Sequence, residues 1–561
     1  MRGSAAATKL IDRRIALLFA AFAGLLAFAA LRAAYLGTVK APSLKRAAIS
    51  QQVAVVDVPA RRGTITDRHG VDLAVSEPAE DVAADPLLIK QPLTVARQLA
   101  PILGQPEQQL LEQLTDRHHG FVYLRRAFPS VSARPLEKLN IPGIELIPSS
   151  RRIYPQKFLA SQLLGFVGID GGGLTGLEYS EDRVLHGHDG ERRIVKDALG
   201  QPISLQDEHA MRAGRSLQLT LDSSIQDQTE KVLGEVGQSF SPKGAMALVM
   251  DPRTGELLAL ANWPRVDAND PSGAPDYAKQ DRAVQAAYEP GSTFKPFTVS
   301  AALEQGVVTP DTQFNLPPVI QVADRTIHEA EGRSGYETLS TAQILAQSSN
   351  VGAVTIGLRL GAPAFDRWVR RFGFGRATRS DLPAEGTGIV PSLARYSGSS
   401  MGNLPIGQGL AVTPLQMATA YAAIANGGIL RPAHVVRGVD GKATRLPRGR
   451  RIMSAATAAS VRTMLEGVLA AGGTASEVSI PGYQLAGKTG TAQKPDPKTG
   501  GYSSNKYVAS FVGFAPAKDP KLLVAVMVDE PQGEHLGGLV AAPAVQQIMQ
   551  FVLPYLRIPP S

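Results

Sequence analysis

The chain has no cysteine among its 561 residues, which excludes disulfides, thiolate nucleophiles and cysteine-ligated metals. Beyond the first forty or so residues, no stretch is long and apolar enough to cross a bilayer. Internal repeats are lacking. No basic segment is interleaved with aromatics in the manner of an RNA-binding surface, so nucleic acid is not an expected partner. His186-Gly187-His188-Asp189 offers two ligands but no third cluster at metal spacing, so a polar loop is expected there and no metal or other cofactor is assigned. His118-His119 is expected at the surface. With 19% charged and 44% hydrophobic residues, widespread disorder is also excluded. The net charge of +8 points to an anionic surface or polymer nearby.

What is present begins with length, which sets an expectation of two to four domains. Ile15 to Leu31 is an uncharged run of 17 residues rich in Ala, Leu and Phe, followed by Arg32 and then Ala33 to Gly37. Such a run is at the short end of what spans a membrane, and Arg32 can extend to the interface. Arg2, Lys9, Arg13 and Arg14 precede it against the single acid Asp12, which predicts a cytoplasmic tail over residues 1–14 and an anchor over 15–37. The competing reading is a cleaved signal peptide ending near Ala27-Phe28-Ala29; the length of the run favours the anchor. Beyond Leu553 only a short tail is seen, so no appended C-terminal module is expected.

Residues 38–215 mix short strand-like runs, Val53 to Val56 and Gly143 to Ile147, with helical pieces such as Leu93 to Leu103. The pairs Arg125-Arg126 and Arg151-Arg152 are expected on solvated faces, and Trp263 in the core. A second domain, 216–561, opens with a strand at Leu217 to Leu221 and a helix from Ser223 to about Val236. A hairpin follows: apolar Ala245 to Met250, the turn Asp251-Pro252-Arg253-Thr254-Gly255, and Glu256 to Ala261. Strands are predicted at Val508 to Phe514 and Leu522 to Val528, with helices near 339–347, 413–426 and 454–470 between. Strands at both ends with helices between predict an α+β fold, an antiparallel sheet covered by helices.

Three strings carry the chemistry: Ser292-Thr293-Phe294-Lys295, Ser348-Ser349-Asn350 and Lys488-Thr489-Gly490. Glu289-Pro290-Gly291 is a turn, and apolar Phe294, Phe297, Ala301 and Leu303 predict a helix starting at Ser292, with Lys295 one turn above it. A serine hydroxyl becomes a useful nucleophile when a neighbouring base takes its proton, and a lysine serves as that base only with a lowered pKa. Burial or a nearby cation can lower it, and Lys488 is the candidate for the cation. Ser348 suits a proton relay, Asn350 suits orienting Lys295, and Lys488 with the Thr489 and Thr491 hydroxyls suits a substrate carboxylate. Gly490 permits close backbone approach, and the Ser292 and Thr491 N–H groups suit an oxyanion.

The chain supplies its own control. Between 498 and 506 the strings recur as Lys498-Thr499-Gly500, Ser503-Ser504-Asn505 and Ser503 three before Lys506. Their order is reversed, and they lie in a loop running into a strand, so no catalytic role is expected. For Ser292 itself the plain alternative is a helix N-cap, which the second and third strings in context displace.

The words around the strings resemble the class B penicillin-binding proteins. They are Tyr288 to Pro296, Gln347 to Gly352, Ala486 to Lys494, Gly407-Gln408-Gly409 through Gln416, and, in the first domain, Arg62 to Arg68 and Gly176 to Tyr179. Asn350 and the run ending at Lys494 look like the cell-division, FtsI-type branch. The resemblance implies a transpeptidase domain with a five-stranded antiparallel sheet flanked by helices, on an elongated dimerisation-type pedestal. It implies a serine D,D-transpeptidase acting on peptidoglycan stem peptides, acylated by β-lactams and working beside an FtsW-type membrane glycosyltransferase and other division proteins in the inner membrane. Lys157 stands where the family usually has glycine, and Gln162 where histidine is common. Competing readings are an elongation-type transpeptidase, a D,D-carboxypeptidase, a β-lactam-sensing receptor and a non-catalytic division scaffold.

Overall fold

The computed structural model describes residues 4–43, 53–196, 202–329, 334–496 and 500–560. The N-terminus forms one helix, Ser4–Thr38, in which Asp12–Thr38 is long and apolar enough to cross a membrane. The helix starts ahead of the predicted anchor because Ala5, Ala6 and Ala7 are strong helix formers.

Two compact units are formed. The first comprises Met1–Ala60 with His188–Arg212 and contains a three-stranded antiparallel sheet in the order Val53–Val58, Gly190–Lys196, Pro202–His209. The second comprises Arg61–Gly187 and Ala213–Ser561. Its central sheet has five strands: β1 (Gly244–Met250), β2 (Leu257–Trp263), β3 (Ala486–Pro495), β4 (Tyr502–Ala515) and β5 (Leu522–Asp529). The spatial order is β2-β1-β5-β4-β3, antiparallel throughout, with β3 at an edge. Every residue of β1 and β5 is buried, which is why both read as continuous apolar runs without polar alternation.

Helix α1 (Ser223–Phe240) is started by Asp222, whose side chain accepts from the N–H groups of Ser224 and Ile225. Other helices of the domain include α2 (Lys295–Glu304), α3 (Thr341–Ala346), α4 (Asn350–Leu360), α5 (Pro414–Ala425), α6 (Ala455–Glu466) and α7 (Ala542–Tyr555). Helices α1 and α7 pack together on the sheet, while α5 lies on β1 and β5 and meets α6, which meets α2. Trp263 is partly buried, its indole packed where a Cβ on Gly237 of α1 would fall.

The predicted hairpin, both later strands and the helices over 413–426 and 454–470 are all present, with ends shifted by a few residues. The helix predicted over 339–347 is shorter, because Leu339 and Ser340 finish the strand Glu337–Ser340 and Ser340 caps α3 in a reciprocal box with Gln343.

In the N-terminal part of this unit, the long strand Asp72–Ala84 pairs with Val122–Pro129 and Ile144–Ile153. A separate core of Leu99, Leu110, Leu114 and Leu124 supports it. Ile65–Thr66 runs parallel to Leu217–Leu219, which pairs with Val436–Val439, so one sheet continues through both parts. Arg152 corrects the expectation of a solvated arginine pair: its side chain is 3% exposed and bonds the buried Glu178 carboxylate at 2.7 Å. The expectation failed because charge alone does not show that a buried partner waits 26 residues away. His119 is exposed and paired with Asp116.

Candidate active site

Ser292 lies in a 3₁₀ turn, Gly291–Phe294, and the α-helix begins only at Lys295. This corrects the prediction of a helix starting at the serine. Three residues complete a 3₁₀ turn, so Ser292 and Lys295 eclipse one another more closely than in an α-helix. The turn is clamped from several sides. Thr293 Oγ1 donates to Pro290 O at 2.7 Å, Tyr421 Oη of α5 donates to Thr293 O at 2.6 Å, and Gly291 N donates to Gly407 O at 3.0 Å.

Ser292 lines a cleft of about 820 Å³ together with Ser348, Asn350, Thr489, Thr491 and Gln493. Lys295 and Lys488 are fully buried behind that surface. The Lys295 amine donates to Ser348 O, to Ser348 Oγ at 3.2 Å and to Asn350 Oδ1 at 2.7 Å. Burial brings the Lys295 pKa down to about 7, opposed by the Glu329 carboxylate, which favours the charged form. Of the two expected causes, burial is therefore the one that lowers Lys295. Lys488 is itself lowered well below its ordinary value, first by burial and then by Lys295. Its amine lies 3.3 Å from both Thr489 O and Thr489 Oγ1.

Ser348 follows α3 at a positive φ of 61°, and Asn350 opens α4, whose N-cap is Ser349. The second string thus forms the turn between two helices. In the third, Thr489 Oγ1 meets Thr474 Oγ1 at 2.6 Å, and Thr491 Oγ1 accepts from Gly537 N at 3.0 Å. A Cβ on Gly490 would fall 2.5 Å from Ser510 Oγ and 2.8 Å from Thr293 Cγ2. The missing side chain therefore lets β3 lie against the protein's own serine turn.

Glu329, Thr474 and the His535–Gly537 wall were not found in the sequence. None belongs to a recognisable spacing, and His535 announces itself only by stacking on Tyr507 at 4.2 Å.

The control strings behave differently. Lys498 and Thr499 lie outside the described residues. Ser503 and Lys506 fall in β4, which starts earlier than expected, so three positions apart puts them on opposite faces. Ser503 Oγ bonds Asn505 and its own backbone neighbours, and Lys506 pairs with Glu530. Among the described residues, no group of three His, Asp or Glu is arranged to hold a metal. His188 instead bridges the Arg212 backbone, and Asp189 accepts from Ala60 N.

Residues 245–550 match the model of the penicillin binding protein transpeptidase domain, and residues 57–219 match the penicillin-binding protein dimerisation domain. The chain belongs to the class B penicillin-binding proteins. It is 35% identical over 558 residues to the peptidoglycan D,D-transpeptidase FtsI of Escherichia coli K12, covering 98% of this chain and 93% of that one. It is 33% identical over 546 residues to the probable peptidoglycan D,D-transpeptidase PenA of Neisseria meningitidis, covering 96% and 91%. Among solved structures, penicillin binding protein 3 of Mycobacterium tuberculosis complexed with aztreonam matches with a TM-score of 0.71 at 29% identity, covering 90% of this chain and 98% of that one.

The words shared with other class B penicillin-binding proteins have local physical reasons in this chain. Gly407, at φ 80°, leaves room for the serine turn: a Cβ there would sit 2.2 Å from Gly291 O. Thr413-Pro414-Leu415-Gln416 is a capping box with proline in the first turn of α5. Arg62 and Glu178, from two separate words, form a buried ion pair at 2.5 Å that Arg152 completes. The two departures are also explicable. Lys157 has φ 52°, the left-handed region that suits the family's usual glycine. Gln162 is buried and donates to Pro264 O and Ala278 O, both at 3.0 Å, tying the pedestal to the loop after β2.

Proposed function

We infer that this chain is a peptidoglycan D,D-transpeptidase that forms peptide cross-links during septal wall synthesis through a serine acyl-enzyme, and that β-lactams acylate it. The observation that carries the reading is a cleft serine in a 3₁₀ turn, three residues before a buried lysine whose pKa is close to 7. The named activities of the FtsI and PenA relatives support it over nearly the full chain.

In this reading Lys295 Nζ takes the proton of Ser292 Oγ as the oxygen attacks the carbonyl of the terminal D-alanyl-D-alanine bond. The Ser292 and Thr491 N–H groups hold the oxyanion. The proton passes through Ser348 Oγ to the leaving amine, and D-alanine departs. The amine of a neighbouring stem then attacks the acyl-enzyme, returns a proton to Ser292 Oγ and completes the cross-link. Asn350 orients Lys295. Lys488, Thr489 and Thr491 bind the substrate carboxylate, whose arrival favours the charged form of Lys488. Gly490 keeps the strand that presents them close to the serine.

The protein is membrane-anchored through its N-terminal helix. Its layout is a cytoplasmic tail at 1–14, an anchor at 15–37, a pedestal at 38–215 and a periplasmic transpeptidase domain at 216–561, in the inner membrane beside an FtsW-type glycosyltransferase. The basic residues ahead of the anchor support that orientation. Fluorescent penicillin is expected to label the purified protein once, at Ser292, and Ser292→Ala to abolish labelling. Labelling at Ser503, or no labelling of folded wild-type protein, overturns the assignment.

A further inference from the structure

The second string is held from outside itself. Glu329 follows the hairpin Val319–Val322 and Arg325–His328 and is buried, with its carboxylate turned onto the start of α4. Oε1 accepts from Ser349 Oγ at 2.6 Å and from Val351 N at 3.3 Å, and Oε2 accepts from Asn350 N at 2.8 Å. One residue earlier, His328 O accepts from Asn350 Nδ2 at 3.0 Å. That bond fixes which way the Asn350 amide faces and presents its Oδ1 to Lys295 Nζ at 2.7 Å.

Ser348, immediately before these residues, sits at φ 61°, a conformation a non-glycine residue keeps only when its surroundings enforce it. The end of α3 sets that conformation, with Ser349 N donating to Ile344 O at 2.9 Å and Ser348 N to Leu345 O at 3.3 Å, and Glu329 grips the two residues that follow. We propose that Glu329 is a positioning residue for acyl transfer: by pinning Ser349 and Asn350 it sets Ser348 Oγ and Asn350 Oδ1 together on the Lys295 amine. The role rests on the assignment of Ser292 as nucleophile and Lys295 as its base.

A carboxylate at the first N–H groups of a helix also stabilises that helix, so a plain capping role has to be separated from positioning. Ser349 already caps α4, accepting from Gly352 N at 2.9 Å. The distinguishing feature is where the charge lies. The charge acting on Lys295 is that of Glu329, from the hairpin side; Lys488 of β3 is buried beside it, with its own pKa lowered first by burial and then by Lys295. Around the cleft stand Arg325, His328, Glu477, Tyr502, Tyr507 and His535. Loss of the Glu329 charge removes the anion that favours the Lys295 ammonium, so the free amine persists to lower pH.

The test is the rate of acylation by fluorescent penicillin across the neutral pH range, on full-length protein, with the folded fraction followed by circular dichroism. Glu329→Gln is expected to slow acylation roughly ten- to hundredfold through misplacement of the base. It should also move the acid limb of the profile down by roughly one pH unit. Glu329→Asp, which keeps the charge, should return the limb to its wild-type position. Ser349→Ala, which removes the hydroxyl and keeps the charge, should slow acylation and leave the limb in place. Wild-type rates in Glu329→Gln overturn the proposal. So does a rate loss that only follows the folded fraction, with the limb unmoved in a variant that still folds. Ser292→Ala, measured in parallel, reads the underlying assignment: labelling that survives there faults the nucleophile and not Glu329.

Discussion

At Lys295 the balance of effects is decided by burial. Two lysine side chains lie fully buried at one site, and water would otherwise stabilise both ammonium ions. With Lys295 near 7, its neutral form dominates above that pH and its ammonium below. Only the neutral amine accepts the serine proton. Acylation by penicillin should therefore be flat above neutrality and fall about tenfold per pH unit once well below about 7, read from second-order labelling rates. Lys295→Arg keeps a cation that does not deprotonate, and should lose roughly 10²- to 10⁴-fold in acylation on the plateau above neutrality and lack the acid limb. A profile that stays flat well into the acid range would assign the proton to another group.

Lys157 permits a second prediction on the same scale. A left-handed lysine is strained by roughly 1–2 kcal/mol, and glycine relieves this while adding unfolded-chain freedom worth up to about 1 kcal/mol. Lys157→Gly should raise the free energy of unfolding slightly, by up to about 1 kcal/mol, and leave penicillin labelling unchanged. A clear loss of stability would mean that the lysine side chain makes a contribution exceeding its backbone strain.

Elements legible in the sequence are those whose signal is local. Strands β1, β4 and β5 were visible as apolar runs, the β1–β2 turn as Asp-Pro-Arg-Thr-Gly, and α5 through its Thr-Pro-Leu-Gln start. The serine turn reads as α-helix in the sequence because its residues are compatible with either geometry. Its tighter winding depends on Gly407 and Tyr421, more than a hundred residues downstream. Glu329 and Arg152 were missed for the same reason: each takes its meaning from a partner brought near by the fold.

The contact between β3 and the serine turn makes this dependence measurable. Gly490→Ala places a methyl group against Thr293 and Ser510 at distances the packing does not hold. It should slow acylation at least tenfold while the protein remains folded, because a displacement of about 1 Å at a catalytic group is enough for such a loss. Unchanged acylation would show that the turn and strand can separate without disturbing Ser292.

Across the molecule, the pedestal and the transpeptidase domain share more than a linker. Leu217–Leu219 carries a sheet from one to the other, Gln162 bonds two carbonyls across the junction, and Arg62, Arg152 and Glu178 form a buried charge cluster just inside it. Arg62 is held further by Asp182 at 2.6 Å. Glu178→Ala leaves both arginines facing a buried void in the carboxylate's place, and breaking a buried pair in this way costs about 3–5 kcal/mol. The pedestal sheet should then unfold at a lower denaturant concentration.

The large apolar cluster of the transpeptidase core also takes in pedestal residues such as Ile65, Leu163 and Leu177, but Ser292, Lys295 and Lys488 lie far from the charge cluster in sequence. Fluorescent penicillin should consequently still label the variant wherever the core stays folded. In cells the two effects should part company: a protein that binds penicillin normally but presents its cleft on a loosened pedestal should fail to support division, giving filaments like those expected on depletion of the whole protein. Rounded cells on depletion would place the enzyme in elongation. Normal division with Glu178→Ala would show that a rigid pedestal is not what the septal reaction requires.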